Sequence, residues 1–80
     1  MLQDTEINTQ AINIEAYLLV DENSTIVYYI GTSRSFSDPG KPNWRIKRIM
    51  KIGNVWKFQF PDGKQDFQYI WDMRYTYTYL

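Results

Sequence analysis

The chain contains no cysteine and no histidine among its 80 residues. Without cysteine there is no disulfide frame and no thiolate zinc site. Without histidine the commonest general base and the commonest neutral metal ligand are missing. An enzyme built here would have to work with carboxylates, lysine or tyrosine alone. Long apolar runs are lacking as well, since none approaches the roughly twenty residues that cross a bilayer as a helix. The first residues show no basic region followed by an apolar core, so no secretory signal is read there. The expectation is a soluble chain with no membrane partner, made in the cytoplasm. Cations are absent from residues 1–33, which carry Asp4, Glu6, Glu15, Asp21 and Glu22. Residues 34–80 hold all nine Lys and Arg against four Asp, so the formal net charge of +0 conceals an acidic first part and a basic second part. Either the two parts neutralise each other within one sheet, or copies meet head to tail.

Aromatic side chains, by contrast, make up 18% of the chain. Large rings bury much area per residue, which lets one small domain form a core without disulfides. Residues 1–10 are polar and aperiodic, and read as an arm that is free or ordered on a neighbouring subunit. From residue 11 the pattern turns apolar: Ile12, Ile14, Ala16, Leu18 and Val20 share one parity, as in a strand. Asp21-Glu22-Asn23-Ser24 is a turn cluster, and residues 25–32 read as the returning strand. Residues 33–43 form the one long loop, with Asp38-Pro39-Gly40 as its tight turn. A loop of that length in a small domain points to function or to a partner.

From Trp44, alternation places Trp44, Ile46, Arg48, Met50 and Ile52 on one face, and Arg45, Lys47, Ile49 and Lys51 on the other. Gly53-Asn54 suits a two-residue hairpin turn. On the return, Trp56, Phe58 and Phe60 are expected to pack with Trp44 and Ile46 over a common core. That leaves Arg45, Lys47, Lys51 and Lys57 on an outer face. Pro61-Asp62-Gly63-Lys64 is a further turn. Phe67, Ile70 and Trp71 have helical spacing, and Asp72 and Arg74 could pair across the corner that follows. Tyr75, Tyr77 and Tyr79 alternate with threonine, which reads as a last strand. The expected fold is all-β: a small antiparallel barrel or sandwich of about five strands, with one short helical turn near residues 65–72. Residues 1–10 form the arm and residues 11–80 a single β domain.

No Gly-rich phosphate loop and no nucleophile–base pair is present. Asp62, Asp66 and Asp72 match no calcium loop. No catalytic residue, metal or cofactor is therefore expected, and the function should be one of binding or assembly. The expected contact residues are Arg34, Phe36 and Lys41 in the loop, Arg45, Lys47 and Lys51 on the basic face, and Tyr75, Tyr77 and Tyr79 at the end. The alternative is a small β-barrel that binds single-stranded nucleic acid through cations and rings. Against it stand the zero net charge and tryptophans at core-parity positions. Sugar stacking on the tyrosines ranks third.

The series Tyr29-Ile30-Gly31, a Pro/Gly loop ending at Trp44, Trp44-Arg45-Ile46-Lys47-Arg48-Ile49, Asp62-Gly63, Phe67 and Ile70-Trp71-Asp72-x-Arg74 resembles short proteins of tailed bacteriophages. Those proteins are thought to be virion components, and the similarity spans residues 28–80. The resemblance implies a structural role in the virion, in neck, tail, fibre or capsid decoration, with other virion proteins and copies of itself as partners. Residues 11–27 and the tyrosine-rich end depart from the pattern, which supplies no catalytic residue.

Overall fold

A computed structural model describes residues 17–35 and 37–80. The expected arm, the first part of the expected opening strand and Phe36 lie outside the described residues. Four strands, β1 (Tyr17–Ser24), β2 (Val27–Ser33), β3 (Arg45–Ile52) and β4 (Val55–Gln59), form one antiparallel sheet in the order β1-β2-β3-β4. The sheet is open, with β1 and β4 at its edges. The fold is mostly β as expected, but it is not a closed barrel, and the fifth strand is not formed among the described residues.

The first reversal comes later than the turn cluster suggests. Residues 21–24 continue β1, and Ser24 pairs with Val27 across a turn at Thr25 and Ile26. The Ile26 amide donates to Ser24 Oγ at 3.2 Å, a local side-chain bond that holds the turn. The β-strand register slips once, between Glu22 and Ser24.

Beyond β4 the chain folds back over one face of the sheet. Its first turn puts Asp62 at φ 53 and Gly63 at φ 71, both left-handed, and the Lys64 amide closes it on the Pro61 carbonyl at 2.8 Å. Trp44 and Tyr69 then exchange backbone hydrogen bonds of 2.9 and 3.0 Å, so residues 65–70, the greater part of the helical turn expected near residues 65–72, are irregular chain with a single bridge. Helix forms instead at Trp71–Thr76, as a short 3₁₀ segment. There the alternating Tyr/Thr pattern loses to local bonds. Arg74 Nη1 donates to the Trp71 carbonyl at 3.0 Å, and Thr76 Oγ1 donates to the Met73 carbonyl at 2.6 Å. Only the last residues run extended, with Leu80 and Phe60 exchanging two backbone bonds of 3.0 Å.

This C-terminal segment closes the core. Tyr29, Trp44 and Ile46 of the sheet are buried with Tyr69, Trp71 and Tyr79 from the segment. Gly31 is required here, because a Cβ at that position would overlap the Trp71 ring. The long loop is held down as well: Trp44 Nε1 donates to the Asp38 carbonyl at 3.1 Å, and the Asp72 amide to the Pro39 carbonyl at 3.1 Å.

The second hairpin corrects the expected core. Its turn pairs Ile52 with Val55, an even-numbered position with an odd one, so Trp56 lies opposite Lys51 and Phe58 opposite Ile49. Cross-strand partners share a face. Trp56 and Phe58 therefore leave the Trp44–Ile46 core and are 43% and 59% exposed. Lys57 moves the other way, to the face of its partner Met50.

Candidate interaction surface

The register defines what the uncovered face presents. Leu18 and Val20 come from β1, Tyr28 and Ile30 from β2, Ile49 from β3, and Trp56 and Phe58 from β4. Leu18 and Val20 are more than half exposed, like Phe58, and Tyr28 meets Trp56 edge-on at 6.1 Å between centroids. Tyr28, Ile49, Trp56 and Phe58 line a shallow depression of about 380 Å³.

Three cations of β3, Arg45, Lys47 and Lys51, stand on this face, because their pairing partners Thr32, Ile30 and Trp56 do. Lys47 Nζ lies 5.3 Å from the Phe58 centroid and Lys51 Nζ 5.7 Å from that of Trp56. Their stems shade the rings while their charges stay wet. At the far end, the guanidinium groups of Arg34 and Arg45 both lie over Phe67, at 4.4 and 5.4 Å. Glu22, opposite Tyr28 at the β1 edge, is the acid this face receives from the four strands. The arrangement can bind an apolar or planar partner that also brings negative charge.

Of the expected contact residues, the structure groups Arg34, Arg45, Lys47 and Lys51 along this side. Lys41 is exposed in the loop, on the turn that its amide closes to the Asp38 carbonyl at 3.0 Å. The tyrosines do not form a ladder. Tyr79 is buried and its hydroxyl donates to the Arg74 carbonyl at 2.7 Å; burial raises its phenol well above the ordinary range. Tyr77 accepts the Ile70 amide at 2.9 Å and packs edge-on against Tyr69. Both tie the C-terminal segment together, because the 3₁₀ turn replaces the strand that would have aligned them.

Tyr75 is exposed, but its hydroxyl donates to the Asp21 carboxylate, which also receives Arg74 Nε at 2.9 Å. Arg74 thus pairs with Asp21, not with Asp72. The bond from Tyr75, then the contacts from Arg74, hold the Asp21 carboxyl below its usual value. The same Asp21 bond, followed by burial, raises the Tyr75 phenol. Arg74 stays charged against the desolvation it suffers, because Asp21 outweighs it. This cluster sits on the covered face and ties β1 to the C-terminal segment. It joins the acidic and basic parts of the chain within one molecule.

Sequence reading missed Leu18, Val20, Tyr28, Trp56 and Phe58 as surface residues. The signal was available: a two-residue turn fixes the parity relation between its strands. Among the described residues no group of three or more acidic, histidine or cysteine side chains could hold a metal, and no helix is long and apolar enough to cross a membrane. In comparisons with known proteins, no family model, no curated protein and no solved structure matches the chain.

Proposed function

We propose that the protein is a non-catalytic assembly component, joining other proteins and copies of itself through the open face of its sheet. The particle we assign it to is a bacteriophage virion, as neck, tail, fibre or capsid decoration, assembled in the host cytoplasm. The observation that carries the assembly reading is the exposure of Trp56 and Phe58 on the edge strand β4, on the face opposite the buried Trp44–Ile46 core. Trp56 and Phe58 border, with Tyr28 and Ile49, a shallow apolar depression, the kind of exposed apolar surface that marks an interaction site on a small protein. The virion assignment rests on the resemblance over residues 28–80.

Light scattering over a concentration series tests the first part. The native chain should self-associate, and Phe58→Ser should weaken that association while leaving the fold intact. A native chain that stays monomeric at high concentration and binds no particle protein would overturn the reading. Mass spectrometry of purified particles tests the second part, with the chain expected in stoichiometric amounts. The second reading is a platform for single-stranded nucleic acid, favoured by Lys47 and Lys51 beside Phe58 and Trp56. It requires oligonucleotide binding that weakens steeply with salt.

A further inference from the structure

The sheet has two edges, and they are not alike. Strand β1 is eight residues long and holds no Lys, Arg or Pro, whereas β4 has five residues with Lys57 at its centre. Backbone groups along an antiparallel strand point alternately to one neighbour and to the other. The Lys51 amide donates to the Ile26 carbonyl at 2.9 Å, which sets the alternation: the backbones of Lys47, Ile49 and Lys51 bond toward β2. Tyr29, Gly31 and Ser33 then bond toward β1, and Leu18, Val20 and Glu22 point their backbone groups out of the sheet. On β4 the outward residues are Trp56 and Phe58. Phe60, next in that series, already exchanges two bonds of 3.0 Å with Leu80.

A short edge strand with a central lysine and a covering segment is a guarded edge. Strand β1 lacks those guards. Its Asp21 is paired within the chain to Arg74, and its register slip comes after Glu22, past the outward residues. We propose that two copies pair their β1 edges antiparallel about a twofold axis, with Val20 opposite its counterpart. Leu18 then lies opposite Glu22 and Leu19 opposite Asp21, and the outward residues of both strands are all used, in about six backbone hydrogen bonds. The two Glu22 side chains stand about 13 Å apart, beyond the screening length at physiological salt. Two β4 edges in the matching register would instead set Lys57 against Lys57. An antiparallel β1 laid on β4 would run its first residues into Leu80. The twofold joins four strands from each copy in one sheet, leaving both open faces on the same side. Leu18 and Val20 of the two copies are then continuous across the joint. This contact is distinct from the open face and does not depend on it.

Amide hydrogen exchange of the native chain, followed by NMR over a concentration series, tests the pairing. The Leu18, Val20 and Glu22 amides should exchange freely when dilute. They should slow about tenfold once about nine-tenths of the chain is dimeric, because exchange then passes through the remaining monomer. The Leu19 and Asp21 amides, bonded to β2, should be protected throughout, and those of Trp56 and Phe58 should stay fast. Val20→Lys should abolish the dimer by placing like charges across the twofold, and mixing it with Val20→Glu should restore a dimer of one chain of each kind. Phe58→Ser should leave this dimer intact. Protection of the β1 amides that does not vary with concentration overturns the proposal in favour of a cover from the same chain. Protection that extends to Trp56 and Phe58 overturns it in favour of β1 meeting β4. Self-association without protection on β1 overturns it and leaves the open face as the contact. Val20 variants that fail to pair when mixed overturn the twofold. A native chain that stays monomeric overturns the proposal too, while its binding to a particle protein would leave the assembly reading standing.

Discussion

The two faces of the sheet are made from the same strands, and each carries rings, yet they ended in opposite environments. On one, Tyr29, Trp44 and Ile46 are covered by Tyr69, Trp71 and Tyr79, and Gly31 gives up its side chain to admit Trp71. On the other, Trp56 and Phe58 stay exposed, with Tyr28 edge-on to Trp56 and the lysines of β3 near both rings. Hydrophobicity alone does not separate the two sets, since a tryptophan stands on each. The difference comes from where the chain goes after β4: the C-terminal segment has one face's worth of aromatic surface, and it covers the face that Gly31 has opened for it.

The largest expected effect tests that comparison directly. Trp44 is 2% exposed and Trp56 is 43% exposed. Trp44→Ala should destabilise the protein by about 3–5 kcal/mol in urea unfolding, as for a fully buried ring. Trp56→Ala, which leaves a surface site, should cost about 1 kcal/mol or less. Equal losses would mean that the open face is a second core. Gly31→Ala comes next, at about 1–3 kcal/mol, because the added methyl must displace the Trp71 ring in a packed core. It should leave association through the open face unchanged; a variant that folds normally but fails to associate would show the faces to be coupled.

Much of the comparison could be read before the fold was known. Alternation from Trp44 to Ile52 separates the two faces of β3 correctly, and Gly53-Asn54 and Pro61–Lys64 mark turns that form. The parity of β4 was within reach too, because a two-residue turn allows one register and puts Trp56 beside Lys51. Two features were out of reach for physical reasons. The Tyr75–Tyr79 alternation has the β period, but Arg74 and Thr76 bond to carbonyls three residues back and favour a 3₁₀ turn. The partner of Arg74 is Asp21, far away along the chain, and no local pattern points to it.

Neighbouring acids on β1 give a smaller and sharper form of the same contrast. Asp21 faces the covered side and receives Arg74 and Tyr75, whereas Glu22 faces the open side and is exposed. Asp21→Asn should cost about 1 kcal/mol, the loss of charge-assisted bonds at a partly wet site. Glu22→Gln should leave stability within about 0.5 kcal/mol of the native value.

The smallest effect expected is a pH window set by the same cluster. Asp21 titrates below its ordinary 3.8 in the folded chain. As pH falls through that range the unfolded chain takes up the proton first, so the unfolded state binds more protons and stability drops. Tyr75 titrates above its ordinary 10.0, so above that value the unfolded chain releases its proton first and stability drops again. The contribution of the cluster is therefore full between about 4 and 10 and lost at either side. Urea midpoints measured across this range for native protein and Tyr75→Phe separate the two limbs. The phenylalanine variant should lose the alkaline fall due to Tyr75 and keep an acid limb, because Arg74 still holds Asp21. An unchanged alkaline limb would place that transition elsewhere, with buried Tyr79, whose phenol is raised by burial, as the next group to replace.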